Sequence, residues 1–555
     1  MKIAKLILIA SVVIASLLRL PYLNTHMVSL YGDEIAIGYN AFSIVKTGRD
    51  EFGKFMPLQF QSWGDQKNPA YIYAVATVQL FTGATPASVR IPSAIAGILA
   101  VYLTYRLVLL LGLSEIIASI SALLLALTPW HIHVSRGGYE ANMALTLGLA
   151  SAVALLSWLK SGARKQIILS VLYLVLSTYT YYTTKMFAPL LLALIWIWGW
   201  HNFRNKKIIN IKNTVVYWVT VAVLATPLIY LALFAGGQAR FEAINIFADK
   251  TVVNRVIRDR NFFDDPKSIM SKVMENKYVY NFLDFTTYYF DNFSGQFLFV
   301  GGDSNLRYGQ SNHGMLYLLD APLILMGILL LYSKNKNVWL LLMGWLLLAP
   351  LPTALVGKAY GLRSLAMLPI PQIFAAYALY EFFEWAKKTR FRLTLFGIFC
   401  TLYILSFFNW TVRYVYQYPS YGRYWYDSTM FEALDYAKKN EDKFDQIIIT
   451  QSYGETSMYY AYYNQIDPRV YRQAKANKLI VDGVPMIKIG KYYFGDVRPH
   501  GSVEGMDLPK NSLVIVQPLF EYGEEDLMAR DDGRVIFRTF TFPTVLMRAK
   551  EAGSK

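Results

Sequence analysis

Asp33 and Glu34 follow, after a short intervening stretch, on an apolar run, Ile3 to Leu23, that is interrupted only by Lys5, Arg19 and two serines. About 20 such residues suffice to cross a bilayer, so the two acids fall at a membrane edge, where ionisable groups are costly and mark function. A carboxylate there can take the proton of an acceptor hydroxyl. Acids in a first helical turn also serve as caps that favour the positive end of the helix dipole, and that reading stays open. Ile35, Tyr39, Phe42 and Val45 then recur at helical spacing. This predicts an amphipathic helix lying on the membrane, with the acids at its start.

Other charged groups are expected on the same external side. Lys67 lies in Gln66-Lys67-Asn68-Pro69, and Arg90 precedes the next apolar run. His131, His133, Arg136 and Glu140 fall between Pro129 and Glu140, Lys185 ends Tyr181-Tyr182-Thr183-Thr184-Lys185, and Arg363 opens another apolar run. Cations beside carboxylates suit an anionic ligand next to a proton acceptor. A polyprenyl phosphate sugar has both needs: its phosphate attracts Lys or Arg, and its sugar must meet a deprotonated hydroxyl. Lys185 and Arg363 would equally snorkel to an interface, and the two histidines beside Trp130 would equally be packing.

Positioning these groups requires a membrane scaffold. The 555 residues are 55% hydrophobic and 15% aromatic, with 17% charged, the composition of an α-helical polytopic membrane protein. The net charge of +16 would fit a nucleic-acid partner, but its placement argues against one. Lys160, Arg164 and Lys165; Arg204, Lys206, Lys207 and Lys212; Lys334 and Lys336; and Lys387, Lys388, Arg390 and Arg392 sit in short acid-free loops between apolar runs. That is the positive-inside pattern, which places those loops in the cytoplasm. Cys400 is the single cysteine, so no intramolecular disulfide forms. The first stretch lacks a small-x-small cleavage site and is read as a retained span. The pattern predicts about eleven spans in a plasma membrane, including Glu115 to Trp130 as one span. The amino terminus is then cytoplasmic, and the loop Ala235 to Gly314 is external. Two domains follow: residues 1–410 in the membrane and an extracytoplasmic α/β domain, residues 411–555. In the latter Gln446–Thr450 and Ser512–Val516 read as buried strands, with helices near Phe431 to Lys438 and Glu524 to Arg530.

These residues resemble the C-type membrane glycosyltransferases, the group that includes protein O-mannosyltransferases and lipid A aminoarabinose transferases. Tyr31-Gly32-Asp33-Glu34 looks like their acidic first-loop motif, Gln66-Lys67-Asn68-Pro69 is similar to their Lys-Pro element with Asn68 inserted, and Arg90-Ile91-Pro92-Ser93 matches their Arg-x-x-Ser pattern. Ser135-Arg136 with Glu140 falls where they carry a second acid, which in many of them is Asp. The resemblance covers residues 1 to 200 well and the rest in outline.

It implies inverting transfer of a sugar from a polyprenyl phosphate donor to an acceptor hydroxyl of a protein, glycolipid or polysaccharide. Asp33 is then the base and Lys67 balances the leaving phosphate, with Lys185 and Arg363 as second candidates. Glu34, Arg90 and Arg136 join the substrate-binding set, and Glu140 orients the acceptor or shares a divalent cation with Asp33. A transporter or flippase for a lipid-linked saccharide is the alternative. Against it, no matching pair of broken helices stands out in two halves.

Overall fold

The computed structural model describes residues 2–25, 29–203, 211–234, 245–451, 454–496, 511–516 and 535–538. In chain order the elements begin α1 (Lys2–Arg19), α2 (Gly32–Thr47), β1 (Phe60–Ser62), β2 (Asp65–Lys67), α3 (Pro69–Thr82), α4 (Pro86–Leu110), α5 (Glu115–Leu127), α6 (Pro129–Arg136), α7 (Glu140–Ser161), α8 (Arg164–Thr178), α9 (Tyr182–Phe203) and α10 (Ile211–Phe234). There follow α11 (Thr251–Arg260), α12 (Ile269–Met274), α13 (Lys277–Asp291), α14 (Asp320–Lys334), α15 (Lys336–Leu348), α16 (Leu351–Ala354), α17 (Ile370–Ala386), α18 (Arg392–Val412), α19 (Tyr418–Trp425) and α20 (Ser428–Lys439). The chain closes with β3 (Gln446–Thr450), α21 (Thr456–Tyr463), α22 (Pro468–Ala476), β4 (Leu479–Val481), β5 (Val484–Ile489), β6 (Tyr492–Gly495), β7 (Ser512–Val516) and β8 (Val535–Arg538). Two compact units form: Met1–Pro21 with Ser93–Thr411, and Tyr22–Pro92 with Val412–Lys555.

The first unit is helical. Among the described residues six helices of the chain are long and apolar enough to cross a membrane, or seven if the bent pair α5–α6 counts as one; this is a multi-pass membrane protein. Each apolar run read as a span is helical, but several fall short of spanning criteria. The 15 residues of α8 and of α14 reach only about 22 Å against a core of about 30 Å, and α1 carries Lys2, Lys5 and Arg19.

The expected span Glu115 to Trp130 is instead broken. The chain bends by 57° between α5 and α6, because Pro129 has no N–H to continue the ladder. The carbonyls freed there find a partner in Arg19, which is fully buried. Its Nη1 donates to the Ala126 carbonyl at 3.1 Å and its Nη2 to that of Leu125 at 3.4 Å, while Nη2 meets His131 Nδ1 at 2.9 Å. Within hydrocarbon an orphaned carbonyl costs several kcal/mol, so a basic residue in the first helix is here a structural plug. The stretch read as one long loop contains α11, α12 and α13; its residues 235–244 lie outside those described.

The second unit joins the segment after α1 to the carboxyl-terminal residues. Its sheet has the order β4-β5-β6-β3-β7-β8. The central strand β3 pairs parallel with β6 and β7, and β7 pairs parallel with β8, whereas β5 is antiparallel to β4 and β6. Strand β3 is four-fifths buried, with an Ile-Ile-Ile run, as befits a strand covered on both faces.

Helix α2 departs from the expected surface helix. From Tyr31 to Ser43 every residue but Asp33 is buried, because α21 and α22 cover what would have been its wet face. Tyr39 packs edge-on against Tyr471 at 4.9 Å. A Cβ on Gly38 would come within 2.9 Å of the Tyr462 ring, so glycine lets α21 approach. At the far end Lys475 bridges Glu51 at 2.8 Å and Glu455 at 3.1 Å.

Candidate active site

Asp33 is the exposed acid at the start of α2. Its side chain is 48% exposed, and its Oδ1 lies 2.5 Å from the Nζ of Lys67, which is only 6% exposed. The hairpin β1–β2 delivers that lysine. Ser62 pairs with Asp65 across Trp63-Gly64, whose φ values of +56° and +68° make the two-residue, left-handed turn that suits hairpin twist. A buried ammonium favours a nearby counter-charge, so Lys67 holds the Asp33 carboxylate in place. Sequence reasoning gave Lys67 to the leaving phosphate; in the structure its ammonium meets Asp33.

Glu34 points the other way. Its carboxylate and the Arg90 guanidinium are both fully buried and form a two-pronged pair, Nε to Oε1 at 2.9 Å and Nη2 to Oε2 at 3.0 Å. Arg90 also donates to the carbonyls of Leu23 at 2.7 Å and Ser29 at 2.6 Å. Glu34 accepts from the Tyr31 N–H at 3.4 Å, closing the first turn of α2. Neither residue presents a polar atom to a ligand in this structure. Their pairing instead fixes the backbone that carries Asp33.

The remaining candidates belong to the first unit. Arg136 donates to the carbonyls of Leu18 at 2.9 Å and Pro21 at 2.9 Å, capping the end of α1. Glu140 is the first residue of α7, where the dipole favours a carboxylate. The Lys185 ammonium lies 4.3 Å from the Tyr182 ring centre. The Arg363 guanidinium stacks 4.7 Å over Tyr360 and, among the described residues, makes no hydrogen bond or ion pair. It borders an apolar cavity between α7 and α9 whose walls include Leu145, Leu149, Phe187 and Trp345.

The turn before Arg363 is tied down on both sides. Asp303 Oδ2 accepts from the Gly361 N–H at 2.6 Å, and Trp130 Nε1 donates to the Gly361 carbonyl at 2.7 Å. Burial pushes the Asp303 carboxyl up to about 6 from its ordinary 3.8, against the opposing pull of the Gly361 and Asn305 amides and of Arg363. An acid with a raised folded value holds its proton longer when native, so its stabilising effect is present at low pH and lost as pH rises from about 4 to about 6. The shift corresponds to about 3 kcal/mol. Urea unfolding at pH 4 and pH 7 should therefore show wild type losing about that much more stability than Asp303→Asn; equal losses would refute it.

Among the described residues no three His, Cys, Asp or Glu side chains gather as donors for a metal ion, and Asp33 is paired with an ammonium instead. Two contributors escaped sequence reasoning. Trp63 and Asp427 both contact Gly32; the Trp63-Gly64 pair was a turn signal, but nothing near Asp427 pointed to a partner some 400 residues away.

Residues 41–239 match the family described as dolichyl-phosphate-mannose-protein mannosyltransferase. The oligosaccharyltransferase of Archaeoglobus fulgidus, crystallised with a tethered acceptor peptide containing the NVT sequon, superposes with a TM-score of 0.50 at 14% identity. The match covers 83% of this chain and 63% of that one. The chain shares the fold of that oligosaccharyltransferase, and residues 41–239 are similar to the protein mannosyltransferases. ArnT of Cupriavidus metallidurans, bound to undecaprenyl phosphate, aligns at a TM-score of 0.43 and 13% identity over 84% of this chain and 75% of that one. No curated protein matches the chain in sequence. Because the chain spans less than two thirds of the length of the oligosaccharyltransferase, likeness to it speaks for the fold and leaves activity to the residues.

Proposed function

We propose that the chain transfers a sugar from a polyprenyl phosphate donor to an acceptor hydroxyl on the extracytoplasmic side of the membrane, with inversion. The observation that carries this is the Asp33–Lys67 pair, in which a half-exposed carboxylate is held at 2.5 Å by a buried ammonium. In the reaction Asp33 takes the acceptor's hydroxyl proton as the oxygen attacks the anomeric carbon. The bond from that carbon to the phosphate oxygen breaks, and the phosphate leaves on its lipid. The family match over residues 41–239 and the fold support a lipid-linked donor and a protein acceptor; glycolipid and polysaccharide acceptors are kept in the assay.

Arg363 is the residue we assign to the donor phosphate. It makes no hydrogen bond or ion pair with a described residue, its planar guanidinium is able to bind phosphate through two N–H groups, and it borders a largely apolar cavity. Lys185 is the second candidate for that charge. Glu140 is assigned to the acceptor, and Glu34, Arg90 and Arg136 to positioning.

The test is transfer of radiolabel by purified protein in lipid vesicles, from hexosyl and pentosyl polyprenyl phosphates to protein, glycolipid and polysaccharide acceptors. Label in a new glycosidic bond supports the reading. Movement of the saccharide across the vesicle without a new bond would mark a transporter or flippase instead. Arg363→Ala should raise the donor KM by about 10- to 100-fold, the value of a charged hydrogen bond, with Arg363→Lys falling between. An unchanged KM would remove Arg363 from the donor site.

A further inference from the structure

The amide of Gly32 opens α2 and has no partner within the helix, as is true of every first-turn N–H. It is satisfied from the carboxyl-terminal region: Asp427 Oδ2 accepts from Gly32 N at 3.2 Å and from the Tyr459 hydroxyl at 2.7 Å. Asp427 adopts φ +47°, an uncommon conformation for a residue bearing a Cβ that Asp tolerates better than most. Around this contact the fit is close. The Trp63 ring lies where a Cβ on Gly32 would be, 2.9 Å away, and also 2.4 Å from the Cβ position of Gly454. Tyr459 meets Trp63 edge-on at 5.9 Å, Tyr426 meets Tyr31 likewise at 5.9 Å, and the Leu30 N–H donates to the Tyr463 hydroxyl at 3.3 Å.

Leu30, Tyr31 and Gly32, the three residues leading into Asp33, are thus each held by a side chain from beyond residue 425. Gly454 lies just past the end of β3. Trp63 packs against that residue as well as against Gly32.

We propose that Asp427 is a positioning residue for Asp33, acting through the backbone of Gly32, and that the carboxyl-terminal domain is an integral part of the acid's site. The proposal rests on the reading of Asp33 as the base. It gives the domain a role that does not depend on which acceptor is used. A carboxylate at the amino end of α2 satisfies one orphan N–H and suits the dipole, and together with Trp63 it sets the direction in which Asp33 leaves the helix.

The test uses the full-length protein in lipid and two readouts. In Asp427→Ala, hydrogen–deuterium exchange of the peptide containing Gly32 should quicken by at least about ten-fold. With wild type transferring label, kcat should fall by about 10- to 100-fold, the cost of a displaced catalytic group, with donor and acceptor KM within about two-fold. Asp427→Asn keeps an accepting oxygen and should restore both. Should Asp427→Ala fail to fold, Tyr459→Phe, which frees Asp427 from its hydroxyl, must show the same loosening in smaller measure. Exchange at Gly32 that stays at the wild-type level in the folded variants overturns the proposal. Loosened exchange with unchanged kcat overturns it too, leaving Asp427 a structural cap. A wild-type protein that transfers no label defeats the reading of Asp33 as base, and with it the proposal, whereas normal transfer with unmoved variants defeats the proposal alone.

Discussion

Asp33→Asn is expected to lower kcat for sugar transfer by about 10²- to 10⁴-fold, the range that one general base contributes, with the protein still folded in the membrane. The side chains are nearly the same shape, but the amide cannot accept the hydroxyl proton. The substitution also removes the carboxylate that meets the Lys67 ammonium, 6% exposed, which costs stability. Melting must therefore be measured beside turnover. The separating control is Lys67→Gln: it keeps the carboxylate and removes the group that aims it, so kcat should fall by about 10- to 100-fold. The double variant should be no worse than Asp33→Asn alone, because residues that act as one unit are non-additive. A folded Asp33→Asn protein with undiminished turnover would end Asp33's assignment as the base.

The membrane helices were legible because apolar runs of this length have few other fates. Residues 141–159 and 391–410, for instance, are largely apolar and make up most of α7 and α18. The buried strands β3 and β7 were read at their observed limits, since short Ile- and Val-rich runs bounded by polar residues suit a covered strand. The break between α5 and α6 had its signal in Pro129, outweighed by the apolarity on both sides. The helix read near Glu524 to Arg530 and the basic residues Arg204, Lys206 and Lys207 lie outside the described residues.

What could not be read was tertiary. Ile35, Tyr39 and Phe42 made α2 look one-sided, but its polar residues Glu34, Asn40 and Ser43 are buried as well, each against a partner distant in sequence or in a loop. Glu34 meets Arg90, and Asn40 donates to Glu51 at 3.0 Å. A polar residue with a buried partner has the same local pattern as one in water, so periodicity cannot separate the two. The hairpin β1–β2 was missed for a different reason. Its strands have three residues each, too few for alternation to register, and its turn puts Trp63 where Asn or Asp is usual. The chemistry at Asp33 was nevertheless visible as residue types. What the sequence withheld was which cation meets which acid.

Arg90→Met is expected to be the most destabilising of the substitutions considered, by about 3–5 kcal/mol, because it strands the Glu34 carboxylate in a site closed to water. It also removes donors from the carbonyls of Leu23 and Ser29, each a further loss if left unpaired. Glu34→Leu alone strands the guanidinium and should cost a similar amount. The double variant removes both charges and should recover much of the loss, as apolar replacement of buried ion pairs often does, though not the share owed to the two carbonyls. Thermal unfolding in detergent would measure all three. A double variant as unstable as the sum of the singles would mean that the ion pair itself contributes little, and that Arg90 matters for the loop it ties. Turnover by the double variant then separates folding from function: with the pair gone, α2 keeps its place through Asp427 and α21, but Leu23 and Ser29 lose their ties to Arg90 ahead of the acid. We expect a folded protein whose kcat is about ten-fold reduced, since a displaced base loses rate steeply with distance. Full activity in that variant would show that Lys67 and Asp427 suffice to aim Asp33.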